Sequence, residues 1–189
     1  AGWLTASSAV LHAYGEPAPH LVYVPETHFS AERFLHDVEQ EMAKHKAVIV
    51  AVSEGVSVPE GVQSGLVDNF GHKMLTGCGK VLENFIRHRF GVKVRSVELN
   101  VNQRCSGMLA SETDIEEAAE AGQKGVEAAV AGETGKMVAF ERVQTEPYRM
   151  ECRLVDVNEV CNLEKKVPLE WITGHGSDVG QEFLDYARP

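Results

Sequence analysis

Five cationic residues stand close together in a chain that is otherwise acidic. The 189-residue chain carries a formal net charge of −10, yet the stretch 87–104 contains five basic residues and a single acid, Glu98. Because arginine guanidinium groups form paired hydrogen bonds with phosphate oxygens, such a basic island predicts a site for a small anionic ligand. The five residues are Arg87, Arg89, Lys93, Arg95 and Arg104.

The positions of the four arginines along the chain divide them into two groups. Arg87 and Arg89 fall in the last turn of a predicted helix, where positive charge complements the helix dipole, so we interpret them as solvent-facing structural residues. Arg95 and Arg104 bracket a predicted strand and its exit. For these two, a ligand-binding role and a structural role are equally compatible with the pattern.

A candidate carboxylate, Glu26, follows the first predicted strand in the motif Val24-Pro25-Glu26-Thr27. A carboxylate at the end of a strand can accept hydrogen bonds from two hydroxyl groups of a polyol. It can also complement the dipole of the helix that follows, and the sequence alone favours this structural role.

Other motifs lack the spacing that their chemistry needs. The stretch Gly77-Cys78-Gly79-Lys80 departs from a phosphate-binding loop, because Val81 stands where Ser or Thr should hold a metal ion. The four cysteines form no C-x-x-C pair, and the eight histidines show no metal-ligand spacing. No Ser-His-Asp or Cys-His arrangement stands out. We therefore predict no catalytic residue and no metal ligand in this chain.

Alternating strand and helix periodicities predict the elements that position these residues. Apolar runs predict strands at 21–24, 47–52, 94–100 and 137–143, and alternation predicts a half-exposed strand near 148–154. The alternation of strands with helices along the chain predicts an α/β fold with a mostly parallel sheet and helices on both faces. In such a fold, ligands bind beyond the carboxyl ends of the strands. Helices are predicted over 2–14, after an N-cap at Ser30, from 74 to Gly91, from a capping box at Thr113 to Gly132, and from about Asp178.

Composition narrows the classes of function. Hydrophobic residues make up 43% and charged residues 24%, which is typical of a soluble globular chain and predicts one α/β domain over 1–189. The acidic charge disfavours partners such as nucleic acid or an anionic membrane, and no run approaches the roughly 18 apolar residues of a membrane span. Cysteine usage and the lack of a secretory signal favour the reducing cytoplasm. The missing initiator Met predicts that the chain is part of a longer protein.

Five short motifs, taken in order, resemble the C-terminal half of phosphofructokinases. Their common order and plausible separations extend the resemblance over nearly the whole chain, and it implies the C-terminal lobe of the phosphofructokinase fold. The motifs are Ala1-Gly2-Trp3-Leu4-Thr5-Ala6, Val24-Pro25-Glu26, Asp68-x-Phe70-Gly71-His72, Val94-Arg95 and Gln103-Arg104.

The resemblance implies a role for each of three residues. Glu26 resembles the family glutamate that binds hydroxyl groups of fructose 6-phosphate, and Arg104 resembles the arginine at the sugar phosphate. Arg95 resembles an arginine that reaches a phosphate, often that of a neighbouring subunit, which implies a homo-oligomer. The family's phosphate-donor loop and catalytic aspartate belong to its N-terminal half, so the resemblance implies that the base and the Mg²⁺ ligands lie outside this chain. The N-terminal half is then an expected partner.

The function implied is the fructose 6-phosphate-binding portion of a 6-phosphofructokinase, which makes fructose 1,6-bisphosphate in glycolysis from pyrophosphate or ATP. Many ATP-dependent members have His where this chain has Val101, and two glycines in place of Cys105-Ser106. Together with Phe70-Gly71-His72, these differences favour the pyrophosphate-dependent or a related bacterial branch. The alternative is a non-catalytic sugar-phosphate sensor or interaction module that uses the same lobe. This segment alone is expected to be inactive.

Overall fold

The computed structural model describes residues 1–58 and 77–188, except for the side chains of Gln103 and Arg104. The predicted motif Asp68–His72 lies outside the described residues, as does the predicted start of a helix at 74. Two compact units are present, one formed by 1–98 with Lys165–Arg188 and one formed by Leu99–Glu164. A single domain over 1–189 stays a prediction.

Helices and short strands alternate along the described chain, as the periodicity predicts. No helix of the described residues is long and apolar enough to cross a membrane. The elements are α1 (Trp3–Ala6), a 3₁₀-helix (Ser7–Tyr14), β1 (Leu21–Tyr23), α2 (Ala31–Lys44), β2 (Val50–Val52), α3 (Cys78–Phe90), 3₁₀-helices at Asn100–Arg104 and Gly107–Leu109, α4 (Glu112–Val130), β3 (Lys136–Gln144), β4 (Arg149–Asp156), α5 (Val157–Val160), a 3₁₀-helix (Leu169–Trp171), β5 (Ile172–Thr173), β6 (Asp178–Val179) and α6 (Gln181–Ala187).

Strands β1 and β2 pair in parallel at the centre of the first unit, with Leu21 opposite Val50. Successive side chains of an extended strand point to opposite sides, and β1 contributes to two separate cores. Val22 packs with residues of α1, the following 3₁₀-helix and α6, whereas Tyr23 packs with residues of α2 and α3. Helices therefore cover both faces of the parallel pair, which confirms the predicted α/β class.

Helix ends in the first unit lie where the sequence places them. The Ser30 hydroxyl caps α2 by accepting from the backbone N–H of Arg33 at 3.4 Å. Gly15 and Gly91 follow their helices with φ of 83° and 64°, a left-handed conformation that other residues rarely adopt.

The predicted strand at 94–100 is wrong, because residues 91–99 form neither helix nor strand. A strand requires a neighbouring backbone to pair with its N–H and C=O groups. Here the N–H of Ser96 donates instead to the side chain of Glu83. Val94 of this segment is partly buried, whereas Val97 and Leu99 are exposed, and none of the three belongs to a strand.

The predicted strand at 137–143 exists as β3, but it does not join the parallel sheet. It pairs antiparallel with β4 in the second unit, with Phe140 opposite Cys152. A short connection favours this hairpin, since parallel pairing would need a crossover of a dozen residues or more. Strand β4 is half exposed as predicted, with Cys152 partly buried and Arg153 exposed.

Two helix starts also differ from the prediction. Helix α4 is capped by Ser111, whose hydroxyl accepts from the N–H of Asp114 at 3.2 Å, so the capping box at Thr113 is wrong. The last helix begins at Gln181 rather than Asp178, because Asp178 pairs with Thr173 in a short antiparallel ladder. Each start is decided by the hydrogen-bond partner that the folded chain supplies.

Candidate functional site

The carboxylate of Glu26 joins three separate segments of the first unit. It lies three residues beyond β1, and its Oε1 accepts from the backbone N–H of Gly2 at 2.8 Å and from that of Val167 at 3.1 Å. Ser30, and not Glu26, caps helix α2, and the bonds of Glu26 go to other parts of the chain. Glu26 therefore has a structural role of a different kind from the helix-dipole role that the sequence favoured.

The second oxygen of Glu26, Oε2, is buried and has no hydrogen-bond partner among the described residues. Buried polar atoms are nearly always paired, and an unpaired carboxylate oxygen is costly. Since Oε1 already receives two donors, the carboxylate is held in one orientation and Oε2 is left without a donor. This arrangement suits the polyol-binding role considered for Glu26.

Gly2 is required beside this carboxylate by close packing. A Cβ at position 2 would lie 2.5 Å from Cβ of Val24 and 2.7 Å from Oε2 of Glu26. Sequence reasoning quoted Gly2 within a motif but assigned it no role, and it missed Val167 entirely. No local pattern marks Val167, because it meets Glu26 from 141 residues away.

An aromatic cluster holds together the two segments whose backbone N–H groups, those of Gly2 and Val167, donate to Glu26. The indole Nε1–H of Trp3 donates to the carbonyl of Lys165 at 2.7 Å, which ties the residue after Gly2 to the segment before Val167. Ring contacts with centroid distances of 5.2–6.2 Å extend this link. The rings facing Trp3 are Trp171, Phe183 and Tyr186.

Arg95 lies in the same unit, exposed on the segment between α3 and the next 3₁₀-helix. The neighbouring Ser96 anchors this segment, since its N–H and hydroxyl donate to Oε2 of Glu83 at 3.0 and 2.7 Å. Sequence reasoning missed Glu83. The spacing Lys80-x-x-Glu83-x-x-x-Arg87 could have identified it, because residues three and four apart face each other on a helix.

Glu83 is a buried carboxylate with an unusually complete set of donors. It is 5% exposed. Its Oε1 accepts from Nζ of Lys80 at 2.8 Å and from the guanidinium of Arg87. Hydrogen bonds from Lys80 and then from Ser96 lower the pKa of Glu83 from 4.5 to about 2. Arg87 lies in the last turn of α3 as predicted, and it also neutralises this acid.

We expect Glu83 to make the stability of the protein pH-dependent on the acid side. A carboxyl whose folded pKa is lowered stabilises the fold fully above its unfolded value of 4.5, and loses this contribution as the pH falls towards about 2. Urea denaturation at pH 7, 4.5 and 3 should show a smaller loss of stability in Glu83→Gln than in the wild type. Glu39→Gln, on the exposed side of α2, is the control and should follow the wild type. Equal acid sensitivity of wild type and Glu83→Gln would contradict this prediction.

Arg104 is the last residue of the 3₁₀-helix Asn100–Arg104, in the second unit. Its backbone is described and its side chain is not, so its role stays a prediction. Glu26 and Arg95 both belong to the first unit, and among the described residues no hydrogen bond or ion pair joins the two directly. No group of three His, Cys, Asp or Glu side chains that could hold a metal ion occurs among residues 1–58 and 77–188.

The chain was compared with protein families and with individual relatives. No protein-family profile matches it. It is 35% identical over its whole length to a pyrophosphate–fructose 6-phosphate 1-phosphotransferase of Methylococcus capsulatus, spanning 46% of that protein. A sulfofructose kinase of Alkalicoccus urumqiensis is 31% identical over 92% of this chain and 48% of its own length. An ATP-dependent 6-phosphofructokinase of Corynebacterium efficiens is 30% identical over 91% of this chain and 47% of its own.

The fold gives the same result as the sequence. The crystal structure of a pyrophosphate-dependent phosphofructokinase from Marinobacter aquaeolei matches 93% of this chain with a TM-score of 0.74 and 32% identity, and the match covers 41% of that structure. The chain thus spans about half the length of the relatives it matches. The family resemblance that five short motifs indicated is confirmed: this chain belongs to the phosphofructokinase family and represents part of a phosphofructokinase.

Proposed function

We propose that this chain forms the fructose 6-phosphate-binding part of an enzyme that transfers a phosphoryl group from pyrophosphate to the 1-hydroxyl group of the sugar. The observation that carries the proposal is the Glu26 carboxylate, with Oε1 held by two backbone N–H groups and Oε2 buried without a donor. A sugar hydroxyl would supply that donor. The relatives named for this substrate support the choice of ligand.

Three residues of the chain have different roles in holding the acceptor sugar. Glu26 accepts from a hydroxyl group and thereby orients the ring, while Arg95 and Arg104 bind phosphate oxygens. Phosphoryl transfer depends mainly on positioning and on charge neutralisation, so a lobe that orients the acceptor contributes to rate without supplying the base.

Pyrophosphate is the favoured donor. The pyrophosphate-dependent relative is more similar and is matched over more of this chain than the ATP-dependent one. The departures at Val101 and at Cys105-Ser106 from the ATP-dependent pattern favour the same donor.

The family also implies that Mg²⁺ accompanies the donor. The described residues offer no group that fits a metal ion, so we assign it no step here. We also propose that the protein forms a homo-oligomer, that an N-terminal half is its partner and that it is located in the cytoplasm.

Activity of the complete protein tests the proposed function. With Mg²⁺ present, we expect turnover of fructose 6-phosphate with pyrophosphate to exceed that with ATP. The sulfonate analogue of the sugar is the comparison substrate, because a singly charged sulfonate should bind two arginines less tightly than a phosphate dianion. Binding of the sugar without turnover on either donor would favour the alternative, a sugar-phosphate sensor or interaction module. Faster turnover of the sulfonate would contradict the proposed substrate.

The 189-residue chain by itself is expected to show no phosphofructokinase activity with either ATP or pyrophosphate. The reason is that no general base and no donor loop can be identified in its sequence. The measurement is a coupled assay for fructose 1,6-bisphosphate on the purified chain, with the complete protein as positive control. Turnover by the purified chain, free of complete enzyme, would overturn this prediction.

A further inference from the structure

The segment that carries Arg95 is hydrogen-bonded to one side chain of the described structure. Residues 92–98 form no helix or strand, so no regular ladder fixes their backbone. Among the described residues, the hydrogen bonds of this segment are the two that Ser96 donates to Glu83. The position of this segment therefore depends on a carboxylate of helix α3.

Burial alternates along this segment in a way that separates its two sides. Val94 and Ser96 are half-buried, while Lys93, Arg95 and Val97 are exposed. Such alternating burial is the pattern expected when neighbouring side chains point in opposite directions. The contact of Ser96 with Glu83 therefore determines which side of the segment Arg95 occupies, and it leaves the guanidinium exposed.

The charge of Glu83 is compensated within α3 itself. Lys80 and Arg87 both bind its Oε1, and Ser96 occupies its Oε2. A buried carboxylate is stable when paired in this way, whereas a bare one would attract a nearby cation. Because Glu83 already has its own cations, it can hold the segment without capturing Arg95 as an ion-pair partner.

We propose that Glu83 is a positioning residue for Arg95, which acts through Ser96 to present the guanidinium to the phosphate group of the sugar. This inference rests on the proposed function, since it takes Arg95 to bind that phosphate. Prior fixing of the segment lowers the conformational entropy that binding would otherwise cost. Neither Glu83 nor Ser96 needs to touch the substrate.

The test measures KM and kcat for fructose 6-phosphate in the complete enzyme. Ser96→Ala removes the hydrogen bond from the hydroxyl group and keeps the one from the backbone N–H. Glu83→Gln removes the negative charge of the group that accepts both hydrogen bonds. Since a hydrogen bond to a charged group is worth more than a neutral one, we expect KM to rise about threefold for Ser96→Ala and about tenfold for Glu83→Gln. The expected kcat stays within about twofold, because the group positions substrate in both ground and transition states.

A double-mutant comparison separates positioning of Arg95 from a general structural role. In an Arg95→Ala background there is no guanidinium left to position, so neither Ser96→Ala nor Glu83→Gln should raise KM further. Arg89→Ala is the control, since it removes an exposed cation in the last turn of α3 that is interpreted as structural. Its KM should change less than about twofold.

Two results would overturn the inference, and they have different consequences for the proposed role of Arg95 at the phosphate. If Ser96→Ala and Glu83→Gln raise KM by the same factor with and without Arg95, Glu83 acts through the general fold and the role of Arg95 stands. If Arg95→Ala leaves KM unchanged, the proposed phosphate contact fails and the inference fails with it. Circular dichroism checks that each variant folds. Should Glu83→Gln fail to fold, Ser96→Ala decides the question in the same two backgrounds.

Discussion

Replacing Arg104 by Ala is expected to raise KM for fructose 6-phosphate about tenfold to hundredfold. The estimate is the loss of a charge-assisted hydrogen bond to a phosphate, worth about 1.5–3 kcal/mol. The physical reason is that a planar guanidinium can bind two phosphate oxygens at once, which an alanine cannot replace. Steady-state kinetics of the complete enzyme, with the sugar varied at saturating donor, measure the effect.

Arg89→Ala is the matched control for this variant. Arg89 is exposed in the last turn of α3, where a cation complements the helix dipole, so its removal should change KM little. Arg87 is less suitable because it also neutralises the buried Glu83. A general loss of positive field would affect both variants alike. Equal increases in KM for Arg104→Ala and Arg89→Ala would contradict the assignment of Arg104 to the sugar phosphate.

Replacing Gly2 by Ala is expected to destabilise the protein strongly. The added methyl group would overlap Val24, which is 2% exposed and directly follows β1, and would displace the carboxylate of Glu26. Insertion of a methyl group into a packed core costs about 1–3 kcal/mol. Disturbing the bond from the Gly2 N–H to a charged acceptor adds about 1.5–3 kcal/mol if that bond is lost completely. The measurement is the free energy of unfolding from urea denaturation.

Gly122→Ala provides the same chemical change where there is room for it. Gly122 lies within α4, and a Cβ there would meet nothing within 4 Å. Because glycine costs roughly 0.5–1 kcal/mol relative to alanine inside a helix, this control should be neutral or slightly stabilising. Unchanged stability in Gly2→Ala would show that position 2 does not pack against Val24 as described. Loss of sugar binding in a stable Gly2→Ala protein would place the effect on Glu26 alone.

Glu26 combines a structural role with a proposed binding role. Its Oε1 holds Gly2 and Val167 in place, so removal of the carboxylate would leave two backbone N–H groups without this acceptor. The same two bonds fix the orientation of Oε2 before any ligand arrives. A carboxylate oriented in this way spends no binding energy on ordering its own side chain, which is the advantage of preorganisation.

The sequence by itself determined the features that depend on neighbouring residues. The apolar run at 21–24 predicted a buried strand, Ser30 predicted a helix start and Gly91 predicted a helix end, all confirmed in the structure. Such signals are local because burial follows from side-chain polarity and helix ends follow from φ preferences and capping side chains. The motifs around Gly2 and Glu26 likewise indicated the family before the fold was known.

Only the tertiary structure decided which groups meet. Gly2 reaches Glu26 across 24 positions and Val167 reaches it across 141, and no local pattern encodes such pairings. The segment at 94–100 has the residues of a strand, yet the Ser96 N–H donates to Glu83 and no ladder forms there. Apolar periodicity specifies which side chains are buried, whereas the partner of each polar group depends on the path of the whole chain. For that reason the sequence proposes candidate site residues, whose roles stay predictions, and it does not identify the groups that contact them.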